Sequence, residues 1–361
     1  MQILLDREAL HRIPELSFDL PKTTAYVKHS LSALGCQVFS PIDGAVCAWF
    51  DFGRDDAIAF RADMDALPVT ETTGAAYAST HPGRMHACGH DGHTATLLEL
   101  ARRLDTKESL KHNVLLIFQP AEETFGGAKP ICDTGILDTY NVQAIFGLHL
   151  WPGVPKGVVA SRKGAMMSLS GELTVDVTGQ SAHISKPHEG KDALWAAMEF
   201  YRRARALEAS LPPEIPRLLN FGKMESGTVR NVISNHTHLE GTLRTFDSTL
   251  FDSMHQQLLQ FAREIEADTL CGFTVSLSDG YPALLNPEDL YDRVNALYPL
   301  FELPEPNMGT EDFSWYQQYV PGLFFFLGVG DTPALHSGDF DFDSNVLLKG
   351  AELFEHIAEE F

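Results

Sequence analysis

Three features of the sequence predict an α/β fold with a smaller α+β unit inserted into it. Short apolar runs end abruptly in polar residues, segments of helical period separate those runs, and near residue 170 the pattern changes to strict apolar–polar alternation. The length, 361 residues, also exceeds the ~250–300 beyond which a single core usually splits.

Taken in order, AIAFRADMDALP (57–68) runs from apolar residues into Asp63 and Asp65, NVLLIFQPAEE (113–123) into Glu122 and Glu123, and AIFGLHLWP (144–152) into His149. Residues 91–104 set Ala95, Leu97, Leu98, Ala101 and Leu104 on one helical face, and 130–140 is a weaker helix pattern. Strands alternating with helices imply a mostly parallel sheet, with ligands bound beyond the carboxyl ends of its strands. GELTVDVTG (171–179) then alternates at period two, so one of its faces should be wet. A helix pattern (192–209), strands at 217–225 and 236–246, a helix (249–267) and a strand (272–280) follow. That β-α-β-β-α-β order is ferredoxin-like, and it predicts an inserted domain at 168–281 between the two parts, 1–167 and 282–361, of the larger domain. Helices at 291–301, 311–320 and 346–361 and a buried strand at 321–330 complete the larger one.

Composition bounds the function. Hydrophobic residues at 44 % and charged ones at 21 % describe an ordinary globular chain. The net charge of −22 excludes nucleic acid and anionic membranes as expected partners, because phosphate would be repelled. The opening MQILLDREALHRIPEL is charged throughout, unlike a signal peptide, and no run reaches the ~18 apolar residues of a membrane span. Five scattered cysteines, Cys36, Cys47, Cys88, Cys132 and Cys271, suit free thiols in a reducing compartment, so the cytoplasm is the expected location.

The chemistry concentrates at strand ends. In MHACGHDGH (85–93), Cys88 and His90 offer a thiolate and an imidazole two residues apart, good ligands for a borderline-soft divalent ion. C-x-H alone also describes a capped turn with a buried cysteine. Adjacent Glu122 and Glu123 repel each other unless a cation or solvent separates them, which suggests one carboxylate on a metal and the other handling a proton. His149 and His336 follow apolar strands, where a lone histidine also serves as a hydrogen-bonded core residue. Together the four clusters supply Cys88, His90, Glu123, His149 and His336, enough for two ions sharing a bridge. Asp63 and Asp65 are expected to orient ligands, or else simply to cap strand ends. In the inserted domain, His183 is a candidate hydrogen-bond donor to a substrate oxyanion, with a surface-loop histidine as the alternative; Asn231 and Arg244 are candidates for a substrate's polar end.

RADMDALPVTE (61–71), MHACGHDGH (85–93), FQPAEE followed by GGAK (118–129), GLHLWP (147–152), GTEDFSWY (309–316) and LHSGDFDFD (335–343) occur in this order, after the opening LHRIPELSFDLPKT (10–23). The combination resembles the amidohydrolase branch of the aminoacylase/carboxypeptidase superfamily, which includes hippurate hydrolases, indole-acetyl-amino-acid hydrolases and N-acyl-amino-acid deacylases. The resemblance implies a di-metal hydrolase domain with an inserted lid that commonly mediates homodimerisation. It makes Cys88, His90, Glu123, His149 and His336 the metal ligands, Glu122 the general base and His183 the lid histidine, and it matches Asn231 to the Asn-Val-Ile segment. The chain departs from the pattern at Ser181-Ala182, where many relatives have glycines, at Ser234, where proline is usual, and at Ser337-Gly338.

The implied reaction is hydrolysis of an N-acyl-amino acid or dipeptide-like amide with two divalent ions; zinc or manganese is expected, and cobalt or nickel suits a mixed N/O/S site too. The alternatives are a dipeptidase or carboxypeptidase acting on free peptides, a thiol enzyme using Cys88, and a catalytically silent, metal-stabilised binding protein.

Overall fold

The computed structural model describes every residue except 125. The chain forms two compact units, one of Met1–Met166, Leu285–Pro306 and Glu311–Phe361, the other of Met167–Leu284 with Asn307–Thr310.

The first unit is built on an eight-stranded sheet. Its four central strands are β4 (Asn113–Gln119), β3 (Ala57–Asp63), β5 (Val142–Pro152) and β14 (Gly322–Gly330), in that order and all parallel. Every residue of β3 and β4 is buried, which is why these runs are continuously apolar: both faces of a parallel sheet are covered. Antiparallel pairing appears outside this centre, through β2 (Val46–Phe50) and β1 (Gln37–Phe39) on one side and β6 (Val159–Ser161) on the other; β13 (Phe301–Glu302) then runs parallel to β6. β7 (Gly164–Met167) and β12 (Leu284–Asn286) pair as a separate two-stranded ladder. Helix α3 (His90–Leu104) packs on β3 between α1 (Gln2–His11) and α9 (Leu347–Glu360), while α2 (Pro21–Leu31) and α8 (Glu288–Leu297) complete the cover.

Two segments differ from their local pattern. The 130–140 region is two short helices, α4 (Ala128–Asp133) and α5 (Ile136–Thr139), separated at Gly135 with φ 73°. Asp312–Gln318 is a 3₁₀ helix; Glu311 caps it by accepting from Phe313 N. Residues 1–56, where the pattern assigned no element, carry α1, α2, β1 and β2.

The second unit follows the split order expected of β-α-β-β-α-β. Strands β8 (Leu169–Thr178), β9 (Arg217–Ser226), β10 (His236–Thr245) and β11 (Gly272–Leu277) form an antiparallel sheet in the order β11-β8-β10-β9, with α6 (Ala193–Ser210) and α7 (Ser248–Thr269) packed against it. Val175, Val177, Leu239 and Leu243 point inward to Phe200, Met254 and Leu258, leaving the alternate residues on an open face. Asp192 and Asp247 cap the two helices, accepting from Leu194 N and Trp195 N and from Leu250 N. Asn307–Thr310 joins this unit through Ser168, whose N and Oγ bond the carbonyls of Gly309 and Met308.

Among the described residues no helix is long and apolar enough to cross a membrane, and all five cysteines are free.

Candidate metal centre

The site is assembled where β3, β4 and β5 end and α3 begins. Gly89 adopts φ 85°, and a Cβ there would lie 2.9 Å from Leu150 Cδ1; only glycine permits the turn that delivers Cys88 and His90 side by side. After β4, Ala121 is left-handed at φ 61°, and Gly127 passes so close to Pro120 that a Cβ would meet its carbonyl oxygen at 1.9 Å. This tight turn fixes Glu122 and Glu123. His336 is left-handed as well, at φ 65°, with its backbone N bonded to Ala87 O. Non-glycine residues in that region cost of order 1–3 kcal/mol each, and their presence in the two segments that carry the chemistry is backbone strain stored at a site.

These segments bring all five sequence-predicted ligands together. Cys88 Sγ is 3.3 Å from both His149 Nε2 and His336 Nε2; Glu123 Oε1 is 3.4 Å from His336 Nε2 and 3.7 Å from His90 Nε2. Cys88, His90 and His149 form one close triplet and Cys88, Glu123 and His336 another. Glu122 lies at the rim of the cluster, Oε2 4.0 Å from His90 Nε2. His336, with 55 % of its side chain exposed, is the open edge of an otherwise buried centre.

The imidazoles are oriented from behind. His90 Nδ1 donates to Asp65 O at 2.8 Å and His149 Nδ1 to Leu150 O at 2.6 Å, so each presents an Nε2 lone pair to the centre. His90 Nε2 and Glu123 Oε1 are buried without a hydrogen-bond partner. Sulfur, nitrogen and oxygen ligand atoms converging this closely, two of them buried without a hydrogen-bond partner, fit a divalent cation, and the residues present match the Cys/His/carboxylate chemistry of zinc-type sites.

Asp65 and Asp63 are placed differently from one another. The Asp65 carboxylate accepts from Glu122 N (2.9 Å) and Glu123 N (3.2 Å), anchoring the acidic pair. Asp63 accepts from His93 Nδ1 (2.6 Å) and Arg61 (2.7 Å). The sequence reading assigned no role to Arg61, His93, Glu311 or Asp312. His93 Nε2 accepts from Leu150 N, which commits both of its nitrogens to structure rather than to a metal. Arg61, fully buried, holds Asp63, Glu311 and Asp312 at 2.7, 3.1 and 2.6 Å. An arginine inside the apolar run AIAFRAD was the available signal for that network, since a buried guanidinium requires carboxylates.

Electrostatics follow burial. Burial, then the charges of Glu311 and Glu123, push the Glu122 carboxyl well above the ordinary range. Glu311 is raised to about 8 by burial, against the pull of Arg61. Burial, then the charges of Glu123 and Glu122, push the Cys88 thiol up, so a bare Cys88 is a poor nucleophile, and only a cation in its midst favours thiolate.

The remaining predicted residues belong to the second unit. Residues 182–184 pair antiparallel with 231–233, through Ile184 N to Asn231 O and Ile233 N to Ala182 O, which brings His183 and Asn231 to one exposed corner. His183 Nδ1 meets Ser185 through its Oγ (2.7 Å) and backbone N (3.3 Å), and Nε2 meets no side-chain or backbone partner among the described residues. Arg244 gives one guanidinium nitrogen to Met308 O at 2.8 Å.

Residues 59–360 match the model of peptidase family M20/M25/M40. An N-acetyl-L-cysteine deacetylase of Bacillus subtilis is 34 % identical, over 97 % of this chain and 86 % of its own. An uncharacterized hydrolase of Staphylococcus saprophyticus is 32 % identical over 98 % and 96 %. Among solved structures, a putative aminohydrolase from methicillin-resistant Staphylococcus aureus superposes with a TM-score of 0.93 at 29 % identity, covering 98 % of this chain and 95 % of that one. A dinuclear metal-binding peptidase of the M20 family from Bacillus subtilis does so with 0.87 at 28 %, covering 99 % and 96 %.

Proposed function

The chain belongs to peptidase family M20/M25/M40 and is a metal-dependent hydrolase of amide bonds; from that premise we propose that it cleaves N-acyl-L-amino acids to a carboxylate and a free amino acid. The observation that carries this reading is the convergence of Cys88, His90, Glu123, His149 and His336 with Glu122 at the rim. The deacetylase relative supports the substrate class.

Those five side chains would hold two divalent ions. Bound there, the ions supply Lewis acidity and a water of lowered pKa. Mixed sulfur, nitrogen and oxygen ligation suits zinc, with manganese, cobalt or nickel also compatible. Glu122 accepts the proton of the attacking water and passes it to the departing amine. His183 donates from Nε2 to the oxygen that becomes negative on the amide carbon. Asn231 and the free part of the Arg244 guanidinium receive the substrate's carboxylate.

The second unit serves as a lid and as the dimerisation surface, with a second copy of the chain as partner. β9 is an edge strand with residues 222–226 exposed, and beside it α6 exposes Trp195 (58 %) and Met198 (50 %) around a groove of about 720 Å³. An unpaired edge beside an apolar helix face is self-complementary across a two-fold axis. The free cysteines accord with a cytoplasmic location. The deciding experiment is amino-acid release from a panel of N-acyl-amino acids and dipeptides by chelated protein resupplied with zinc or manganese. Metal-restored turnover that favours acyl substrates is expected; a preference for free dipeptides would overturn the substrate assignment.

A further inference from the structure

Of the five candidate ligands, His336 has the least support along its own chain. It sits in neither a helix nor a strand, is left-handed at φ 65°, and exposes 55 % of its side chain. Its 3.3 Å approach to Cys88 Sγ therefore depends on how residues 336–344 seat against the turn that opens α3. Phe340 and Phe342 close that seam: a Cβ on Gly89 would lie 3.6 Å from Phe340 Cε1, and one on Gly92 would lie 2.9 Å from Phe342 Cζ. Arg7 of α1 spans the same seam. Its buried guanidinium lies 4.1 Å from the centroid of the Phe342 ring. On the α3 side, Nε donates to Asp91 Oδ2 at 3.2 Å, one residue past His90. On the other side, Nη1 donates to Phe342 O (3.3 Å) and Ser344 Oγ (2.8 Å), and Nη2 to Asp341 Oδ1 (2.6 Å).

We propose that Arg7 is a positioning residue for His336: by holding Asp91 and residues 341–344 in one register, it sets the affinity of the ion bound by Cys88, Glu123 and His336. The proposal rests on the two-ion reading of the centre. A planar guanidinium offers five N–H donors at fixed angles, so it can bind acceptors on two segments at once and fix their relative placement; a lysine ammonium is a point charge on a flexible stem and cannot. The other triplet, Cys88, His90 and His149, has no such need. His90 lies on α3 and His149 on β5, and their Nδ1 atoms are already fixed by Asp65 O at 2.8 Å and Leu150 O at 2.6 Å. Losing the brace therefore loosens one ion and spares the other. Helix docking by itself is a separable role, because α1 is also tied to α3 through Asp6 and Arg102 at 2.6 Å, a contact that includes none of residues 341–344.

Zinc titration of the whole protein against a chromophoric chelator, beside denaturant unfolding of the metal-free protein, separates positioning from docking. Wild type should bind two equivalents. Arg7→Lys keeps a cation beside Asp91 but loses the fork, and it should weaken one equivalent about tenfold while the other stays at its wild-type affinity. Asp341→Ala, which removes one acceptor on the far side of the seam and covers the case in which Arg7→Lys does not fold, should weaken the same equivalent. Arg102→Met, which frees Asp6 without disturbing the seam, should lower stability and leave both affinities unchanged. Wild-type affinities in Arg7→Lys and Asp341→Ala would overturn the proposal, and so would weakening of both equivalents alike or an equal effect from Arg102→Met, since either would make Arg7 a docking residue only. Fewer than two equivalents in wild type would overturn the two-ion reading itself, and the proposal with it.

Discussion

Asp65→Asn perturbs the candidate centre without replacing a proposed ligand. The side chain is buried, and its carboxylate accepts from Glu122 N and Glu123 N at 2.9 and 3.2 Å. An amide of the same shape keeps one accepting oxygen but turns an NH₂ toward the other backbone N–H. One hydrogen bond to a charged acceptor is lost, worth about 1.5–3 kcal/mol, and a buried donor is left facing a donor. The backbone carbonyl that orients His90 is unchanged. The loss therefore falls on the placement of the acidic pair, and it corresponds to about 10–100-fold in metal affinity or turnover. Competition with a chromophoric chelator would measure the affinity, and kcat/KM on an N-acyl-amino acid would measure the catalysis. Wild-type values for both would refute the argument that Asp65 positions Glu122 and Glu123.

Glu122→Gln should keep the fold and both ions yet lose about 10²–10⁴-fold in kcat; substantial turnover in a fully metal-loaded variant would remove Glu122 from the proton-transfer role. Arg61→Met leaves Asp63, Glu311 and Asp312 without their buried cation and should cost about 3–5 kcal/mol in denaturant unfolding, so a loss under about 1 kcal/mol would show that the three carboxyls are otherwise compensated. Burial pushes the Asp341 carboxyl up, but the Arg7 guanidinium and its hydrogen bond win and hold it below the ordinary value. A depressed folded-state pKa contributes stability that is complete above the unfolded value of ~3.9 and is lost as pH falls through the folded one. Asp341→Asn should accordingly destabilise by about 1 kcal/mol or less at pH 7, the side chain being a third exposed, and the gap to wild type should close in acid. A gap that persists at pH 2 would assign the effect to packing.

The strand ends were legible because their signal is local. A continuous apolar run that leads into Asp63 or Glu122 identifies a doubly covered parallel strand and the end where polar groups collect, whereas β5 runs past His149 to Pro152. The alternation of β8 likewise announced one core face and one wet face. Elements of residues 1–56 were not legible. The polar residues Asp6, Arg7 and His11 of α1 are buried, because Arg7 and His11 bind Asp91 and Arg102 reaches Asp6, so the helix lacks the clean apolar stripe that periodicity detects. The 3₁₀ segment at Asp312 escaped for a related reason, since its carboxylate is drawn to Arg61, Gln119 and Ala128 N.

By itself the sequence determined which residue types stand at strand ends and with what period, since both follow from neighbours along the chain. Only the tertiary structure decided which polar groups meet: that Arg61 would find Asp312 across 251 positions, that His93 would spend both nitrogens on Asp63 and Leu150 while His90 kept one lone pair for the centre, and that Asp65 would anchor the acidic pair. The physical reason is that periodicity reports burial along one dimension. A hydrogen bond or a ligand bond depends on distances within a few tenths of an ångström between residues far apart in the chain, and those distances exist only once the sheet has closed.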